Sequence, residues 1–358
     1  MTRTQAFIIC VSALSTNAFA TRTIYMDDVV HAGTGISAAS PLNTLKLVKT
    51  KVAELVRVYP TEDIVVKIAP GLYRGPQQIV SWSETEVNPA RTVTLEASDI
   101  NSRPIFDGEG LNGTRLFTLN YTRGRSNIVL RGLHLKNWVN GVAFLGQRDD
   151  DASANSTNEI TNCIFENIGN AYYRGAAPKP TGFSAIGLTN SDNNIIRGNS
   201  FINIINSEGG SSLHAIYAAH NSQNNIITEN KFTNGSGSQV KFRDASNFNT
   251  VDSNDFNGLP AKIPAVQHSY CDQAHRTPEQ SPCTKTGGEC PSQGTVIKMN
   301  SYGGVDLFFE NTPVYQPTNT SCFSSTPIPV NQYALIENFD TDEGGVDLML
   351  SSARGFAS

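Results

Sequence analysis

Three copies of one phrase decide the fold of this chain: Asn193-Asn-Ile-Ile-Arg-Gly-Asn-Ser-Phe201, Asn224-Asn-Ile-Ile-Thr-Glu-Asn-Lys-Phe232 and Phe248-Asn-Thr-Val-Asp-Ser-Asn-Asp-Phe256. Looser copies end at Leu135 and Phe165, so the five terminal positions are separated by 30, 36, 31 and 24 residues. Each period holds short runs of alternating polarity between polar turns, and it has no room for a crossover helix. The repeat therefore predicts a β-solenoid, in which the inward residues of each coil stack on those of the next.

The repeated aromatic residues at the ends of these phrases are predicted to form one internal stack. Asn199, Asn230 and Asn254 lie two residues before them. At such positions an asparagine side chain can hydrogen-bond the stacked backbone groups, and asparagine also tolerates left-handed backbone geometry. We therefore place these three asparagines in turns between the strands.

The chain before the repeats has the features of a capped solenoid end. Residues Thr44 to Val58 carry apolar side chains close to helical spacing, which predicts an amphipathic helix. Such a helix can cover the open edge of the first coil, which would otherwise promote aggregation. The following stretch, Asp63 to Tyr73, is predicted to be a strand and a tight turn.

This order of features resembles the pectate-lyase-like superfamily of right-handed parallel β-helix proteins. The resemblance includes the leading helix, the phrase Ile68-Ala-Pro-Gly-Leu-Tyr73 and the Asn/Phe coils, and it covers about residues 22–260. It implies an all-β fold, a right-handed parallel β-helix solenoid with an N-terminal capping helix. The superfamily includes polysaccharide lyases, uronate epimerases, glycoside hydrolases and non-enzymatic adhesins. Function must therefore be argued from a site.

The first twenty residues are predicted to be a signal peptide. Arg3 precedes the apolar run Ala6 to Leu14, and Ala18-Phe19-Ala20 offers small residues for cleavage. Residues 21–358 then form a single β-helix domain, with an irregular loop insertion at about 260–294 and a disulfide-bearing C-terminal part. No later apolar stretch is long enough for a membrane anchor. The protein is expected to be secreted or periplasmic.

The cysteines agree with an oxidising compartment. Four of them cluster late in the chain, at Cys271, Cys283, Cys290 and Cys322, and two disulfides are expected, with three possible connectivities. Zinc is the weaker interpretation, because the cluster contains no Cys-x-x-Cys pair. Cys163 lies alone in a strand-like segment and is predicted to be an inert core thiol.

The net charge of the chain is −5, so no overall basic field attracts nucleic acid, and none is expected as a partner. The partner we expect is an acidic polysaccharide, which would need a local basic patch on a protein of this charge. The protein is expected to be a monomer.

Two adjacent strands of the repeat carry the densest set of titratable side chains. Alignment of the repeats places Ile216 and Val240 in one inward stack. The outward residues around Val240 are then Gln239, Lys241 and Arg243. Tyr217, one coil earlier, should lie beside Lys241, and His220 should lie beside Asp244 where the two strands end. The candidate catalytic residues are Lys241, Arg243, Tyr217, His214 and His220, and the candidate substrate-binding residues are Asp244 and Gln239.

This set suits β-elimination on a uronate polymer. The reaction needs a cation against the carboxylate, a base that removes the adjacent C–H proton and an acid at the leaving oxygen. We assign Arg243 to the carboxylate, because guanidinium forms paired hydrogen bonds with it. Lys241 is the base if neighbouring cations lower its pKa, and Tyr217 or a histidine serves the leaving group. The resemblance includes lyases with a lysine and an arginine on adjacent coils, whereas here both residues lie on one strand.

Three other functions remain open. A uronate epimerase would use the same residues. A glycoside hydrolase would need two carboxylates, and the candidates are Asp244, Asp306 and Asp347. A passive polysaccharide-binding or adhesive solenoid would use exposed aromatic rings. Its candidate rings are Trp82, Trp138, Tyr172 and Tyr173. His134 is expected to be structural.

No cofactor is required by this chemistry, although calcium is a weaker expectation. Asp149, Asp150 and Asp151 form a compact carboxylate run in a loop, and Ca²⁺ takes hard oxygen ligands. The predicted insertion at about 260–294 is rich in proline, and we expect it to wall a groove beside Lys241 and Arg243.

Overall fold

A computed structural model of the chain describes residues 20–29, 31–111, 113–120, 122–148, 150–207, 212–260, 263–278, 283, 288–303, 305, 309–312 and 334–337. These residues form one α-helix, α1 (Leu45–Val58), short 3₁₀ turns and many parallel strands. The 3₁₀ turns are Pro76–Gln78, Asp151–Ser153, Asn170–Tyr172 and Gln273–His275. The strands of the first half are β1 (Thr21–Met26), β2 (Asp63–Ile68), β3 (Leu72–Arg74), β4 (Val80–Trp82), β5 (Val93–Ala97), β6 (Ile105–Asp107), β7 (Phe117–Asn120), β8 (Gly124–Arg125), β9 (Ile128–Arg131), β10 (His134–Lys136), β11 (Val142–Leu145), β12 (Asn155–Ser156), β13 (Glu159–Thr161) and β14 (Ile164–Ile168). The strands of the second half are β15 (Ser184–Thr189), β16 (Ser191–Asp192), β17 (Ile195–Arg197), β18 (Ser200–Ile204), β19 (His214–Ala219), β20 (Ile226–Thr228), β21 (Lys231–Gly235), β22 (Val240–Arg243), β23 (Thr250–Asp252), β24 (Asp255–Asn257), β25 (Val266–Ser269), β26 (Thr295–Lys298), β27 (Ser301–Gly303), β28 (Phe309–Thr312) and β29 (Ala334–Glu337).

The strands assemble into three long parallel sheets, one for each face of the coil. Sheet 1 has the order β1-β2-β5-β9-β13-β17-β20-β23-β26-β29, sheet 2 the order β3-β6-β10-β14-β18-β21-β24-β27, and sheet 3 the order β4-β7-β11-β15-β19-β22-β25-β28. A small fourth sheet, β8-β12-β16, lies at one corner. In each sheet the neighbours are strands from successive coils, which confirms the predicted right-handed parallel β-helix.

The predicted aromatic stack runs through the core of sheet 2. Leu135, Phe165, Phe201, Phe232 and Phe256 are in register on successive strands, as predicted. The four phenylalanine rings are parallel within 9°, with centroid separations of 5.1, 4.9 and 4.7 Å. Rings stacked at this spacing bury large apolar surfaces, which favours one register of the coils.

We call Asn199, Asn230 and Asn254 the ladder asparagines. They hydrogen-bond stacked backbone groups, as predicted, but they do not adopt left-handed backbone geometry. The backbone N–H of Asn199 donates to Oδ1 of Asn230 at 3.0 Å, and that of Asn230 donates to Oδ1 of Asn254 at 3.0 Å. The positive φ angles fall one residue earlier, for example 66° at Gly198 and 57° at Glu229. The turn is therefore made by the residue before each ladder asparagine, which leaves the asparagine side chain directed into the buried corner.

The predicted helix begins and ends as expected. The side chain of Thr44 accepts a hydrogen bond from the N–H of Leu47, which caps the N-terminus of α1. Val48 and Val52 are buried, and the helix packs against β1, β2 and β4. Strands β1 and β4 are the first strands of two sheets, so the helix lies at the start of the stack. That it closes this end against aggregation stays a prediction.

The predicted loop insertion contains a strand of the solenoid. Strand β25 pairs with β22, so the coil continues through its four residues despite the surrounding prolines. The proline-based prediction of a loop at about 260–294 was therefore wrong for this strand, because none of those prolines falls inside it. We call the described part of residues 270–294 the cysteine segment. Cys271 and Cys283 form a disulfide there, and Cys290 is also disulfide-bonded, whereas Cys322 lies outside the described residues.

Two other sequence predictions concern the compartment and the core. The predicted signal peptide lies outside the described residues except for Ala20. In the described part of the chain, no helix has the length and apolar character needed to span a membrane. Cys163 is buried with a free thiol, as predicted, and burial raises its pKa to about 12, so the thiol stays protonated and inert.

Candidate active site

Strands β19 and β22 bring the predicted outward residues together on sheet 3. Tyr217 lies opposite Lys241, and Ala219 lies opposite Arg243. Their neighbours on the same strands, Ala218 and Phe242, are buried in the core. The alternation of the strands therefore places Tyr217, Lys241 and Arg243 side by side on the outer face, as the repeat alignment predicts.

Arg243 is held by a carboxylate that the sequence analysis did not identify. Its Nε donates to Oε2 of Glu289 at 2.6 Å, and its Nη2 donates to Oε1 at 2.8 Å. Glu289 is 0% exposed and belongs to the cysteine segment. Burial lowers the pKa of Arg243, but the hydrogen bonds and charge of Glu289 outweigh this and raise it. The cysteine segment therefore lies against Arg243, which agrees with the expected position of the insertion.

The third arm of the Arg243 guanidinium points at Tyr217. Nη1 of Arg243 donates to the Tyr217 hydroxyl oxygen at 3.4 Å. Burial raises the pKa of Tyr217, and the charges of Arg243 and Arg148 only partly oppose this effect. Tyr217 consequently keeps its proton at neutral pH, with its hydroxyl oriented by a cation.

His214 is a neutral ring behind this pair. It is 3% exposed, so the structure turns it inward, and its Nδ1 donates to the Ser238 carbonyl at 2.8 Å. Its ring centroid lies 5.5 Å from that of Tyr217. Burial, and secondly the charge of Lys241, lower the pKa of His214 to about 3. Because Nδ1 carries the proton, Nε2 has the free lone pair of the imidazole.

His220 and Asp244 are neighbours, as predicted, but they lie in the turn that ends the two strands. Nδ1 of His220 and Oδ2 of Asp244 are 2.8 Å apart, and both residues are buried. Both have left-handed backbone geometry, with φ values of 54° and 50°. Oδ1 of Asp244 accepts a hydrogen bond from the N–H of Cys290 at 3.1 Å, so this pair joins the coil to the cysteine segment.

One nitrogen of His220 and one carboxylate oxygen each of Asp244 and Glu289 lie within 4.8 Å of one another, a spacing that a metal ion could bridge. Their oxygens, however, already accept hydrogen bonds. Those of Glu289 bind Arg243 and the amide of Cys271, and those of Asp244 bind His220 and the amide of Cys290. The Arg243 guanidinium balances the charge of the Glu289 carboxylate. These contacts favour a hydrogen-bonded ion network over a metal site at this position.

Gln239 does not face outward as the sequence analysis predicts. It is 1% exposed, and within the described structure its amide has no hydrogen-bond partner. A Cβ atom at Gly235 would collide with this amide. Gln239 precedes the first residue of β22, where the chain still turns, so the strand alternation does not apply to it.

The aromatic rings of the binding hypothesis are mostly inaccessible. Trp82 and Trp138 are fully buried, so they cannot stack on a sugar, whereas Tyr172 and Tyr173 are half-buried. His134 pairs with Glu166 at 2.8 Å.

The calcium candidates are only partly described. Asp150 caps a 3₁₀ turn, with one oxygen accepting from the N–H of Ala152 at 3.1 Å and the other from Ser153. Asp149 lies outside the described residues, and so do the hydrolase candidates Asp306 and Asp347. Calcium binding at this run stays a prediction.

Comparison with known proteins reveals similarity in fold. No family model and no curated protein sequence matches the chain. A pectate lyase structure matches with a TM-score of 0.46 and 9% identity over 86% of this chain and 83% of that one. A rhamnogalacturonan lyase matches with a TM-score of 0.45 and 16% identity over 78% and 67%. The catalytic domain of a GH87 α-1,3-glucanase matches with a TM-score of 0.42 and 10% identity over 79% and 56%. The assignment of a parallel β-helix rests on the strand order of this chain.

Proposed function

We propose that this protein is a polysaccharide lyase that cleaves a uronate-containing polymer by β-elimination at Tyr217, Lys241 and His214. One observation carries the proposal. A protonated tyrosine oriented by a guanidinium lies in register with a lysine, and a neutral histidine lies 5.5 Å from the tyrosine ring. These are a proton donor and a cation on the outer face, with a proton acceptor turned inward behind the tyrosine.

Lys241 is the group that faces the uronate carboxylate. Two donors on one edge of the Arg243 guanidinium already bind Glu289, and a third donates to Tyr217, so Arg243 is committed to contacts within the protein. Its charge is also balanced by Glu289. We therefore reassign the carboxylate to Lys241, whose ammonium withdraws charge from the substrate and acidifies the adjacent C–H.

His214 accepts the proton and Tyr217 donates one. The electron pair of the broken C–H bond forms the C=C bond, the C–O bond to the leaving sugar breaks, and the Tyr217 hydroxyl protonates the leaving oxygen. Lys241 is one of the two causes of the low pKa of His214. A uronate carboxylate bound to Lys241 neutralises that charge, so the substrate itself makes His214 a stronger base. Neutral polymers cannot do this, and we expect them not to react.

Two other activities on the same fold make different demands on these residues. An epimerase would remove the same proton and return one to the opposite face, with the same groups. A hydrolase would need two accessible carboxylates, whereas Asp244 and Glu289 are buried and hydrogen-bonded. Within the part of the chain that the structure describes, these contacts favour elimination or epimerisation over hydrolysis.

The experiment is a substrate screen with purified protein on alginate, pectate, dermatan sulfate, chondroitin sulfate and a neutral glucan. Ultraviolet absorbance detects the unsaturated uronate of a lyase, and proton NMR in D₂O detects exchange or inversion by an epimerase. Lys241→Ala and Tyr217→Phe should lower turnover at least about 100-fold. Lys231→Ala, which removes an exposed cation on sheet 2, is the matched control and should be fully active. If both site variants keep wild-type turnover, the assignment fails.

Export of this protein belongs to the same proposal. The disulfide between Cys271 and Cys283 supports an oxidising compartment, where extracellular polysaccharides are found. Mass spectrometry of the mature N-terminus tests the predicted cleavage after Ala20.

A further inference from the structure

Glu289 is held by two hydrogen bonds to Cys271 in addition to its contact with Arg243. Its backbone N–H donates to the Cys271 carbonyl at 2.7 Å, and its Oε2 accepts from the Cys271 N–H at 2.9 Å. Cys271 is itself tied to Cys283 by the disulfide. The carboxylate therefore has little freedom to move, and its position is set by the cysteine segment.

Arg243 spans the space between this carboxylate and the outer face. Two of its nitrogens bind Glu289, and the third donates to the Tyr217 hydroxyl. A planar guanidinium cannot rotate without breaking one of these contacts. The orientation of the carboxylate consequently determines where the third nitrogen points.

We propose that Glu289 is a positioning residue that holds the Arg243 guanidinium against the Tyr217 hydroxyl, and that the disulfide of the cysteine segment keeps it in place. The part of this inference that concerns catalysis rests on the proposed function, since Tyr217 is the proton donor there. The geometric part does not depend on any activity. Reduction of the Cys271–Cys283 bond would then loosen a catalytic group 54 residues earlier in the chain.

Five charged or titratable groups influence the Tyr217 hydroxyl or lie beside its ring. Arg243 and Arg148 favour its ionised form, Glu289 and burial oppose it, and Lys241 and His214 are its neighbours on the adjacent and the same strand. A change in Glu289 that keeps its charge leaves all these charges in place. It alters only the geometry of the Arg243 contact, so it separates positioning from simple charge balance.

The test is the pKa of Tyr217 in the full-length, oxidised protein with Glu289→Asp. Carbon-13 NMR of protein labelled at the tyrosine hydroxyl carbon gives this pKa, and Tyr217→Phe assigns the signal. The shorter aspartate should draw Arg243 away from Tyr217 and raise its pKa by about one unit. Glu62→Asp is the matched control, because Glu62 binds Arg22 through a similar two-pronged contact far from the site. It should leave the Tyr217 signal unchanged.

The double variant Cys271→Ser, Cys283→Ser should produce a rise in the same direction. An unchanged or lowered pKa in Glu289→Asp, with the other tyrosine signals in their wild-type positions, would overturn the positioning role. If turnover is measurable, Glu289→Asp should lower kcat about tenfold and leave KM unchanged, since proton donation and not binding is affected. The NMR result stands even if no polymer is cleaved, so failure of the positioning role and failure of the lyase proposal are distinguishable.

Discussion

Truncation of one ladder asparagine, Asn230→Ala, gives the sharpest test of what holds the coils together. Oδ1 of Asn230 accepts from the backbone N–H and from Nδ2 of Asn199, both at 3.0 Å. Its Nδ2 donates to the Ile196 carbonyl at 2.9 Å and to Oδ1 of Asn254 at 3.0 Å. The alanine variant removes all four hydrogen bonds from a site that is 1% exposed.

The cost combines one buried donor left without an acceptor with three other lost hydrogen bonds. The backbone N–H of Asn199 becomes a buried donor without an acceptor, which costs about 1–3 kcal/mol, and each other lost hydrogen bond contributes about 1 kcal/mol. Because Asn199 and Asn254 keep further partners, we expect a total loss of about 3–5 kcal/mol in the free energy of unfolding. This is a large share of the stability of an ordinary domain, about 5–15 kcal/mol.

The assay is equilibrium urea unfolding followed by circular dichroism, with Asn257→Ala as the control. Asn257 is half-buried and donates to the nearby Asp255 at 2.6 Å, so its loss should cost under about 1 kcal/mol. A loss below about 1 kcal/mol for Asn230→Ala, or equal losses for the two variants, would refute the claim that the ladder stabilises the stack.

Three further predictions test the core, its titration and the ion network. His214 and His268 are buried with pKa values lowered to about 3, so the unfolded chain binds protons that the folded chain does not as pH falls below about 6.5. Each histidine should lower the free energy of unfolding by about 2 kcal/mol between about pH 7 and 5. His268→Gln should weaken this pH dependence in urea titrations at the two pH values. An unaltered pH dependence would contradict the burial argument. Phe232→Ala, which removes a ring stacked at 4.9 and 4.7 Å on its two neighbours, should cost about 3–5 kcal/mol in the same assay, and a cost near zero would show that the stack is dispensable. The lysine of Arg243→Lys cannot form the two parallel hydrogen bonds to buried Glu289, so this variant should lose about 1–2 kcal/mol in the free energy of urea unfolding. Wild-type stability in this variant would mean that the paired hydrogen bonds do not stabilise the fold.

The fold could be predicted because each coil repeats the same physical solution. The aromatic positions and the asparagines recur at fixed places relative to the strands, so the stack from Leu135 to Phe256 and its register follow from alignment. Alternation within a strand also gave the outward directions of Tyr217, Lys241 and Arg243.

The corners and the long-range contacts could not be predicted in this way. Gln239 lies just before a strand, where side chains do not yet alternate between two faces. The proximity of His220 and Asp244 was predicted, but their left-handed backbone geometry was not. Glu289 is 46 residues from Arg243 and reaches it through a segment without the repeat. The signal in the sequence was a carboxylate beside Cys290, in a segment whose described cysteines are disulfide-bonded.

The measurement that tests the central claim most directly is the ultraviolet absorbance of uronate polymers incubated with the wild-type protein and with Tyr217→Phe. We expect absorbance to rise with one acidic polymer and not with a neutral glucan, and we expect Tyr217→Phe to abolish the rise while remaining folded. Equal rates for the two proteins would contradict the role of Tyr217. A wild-type protein that leaves every uronate polymer unchanged in absorbance and in proton NMR would contradict elimination and epimerisation on this panel.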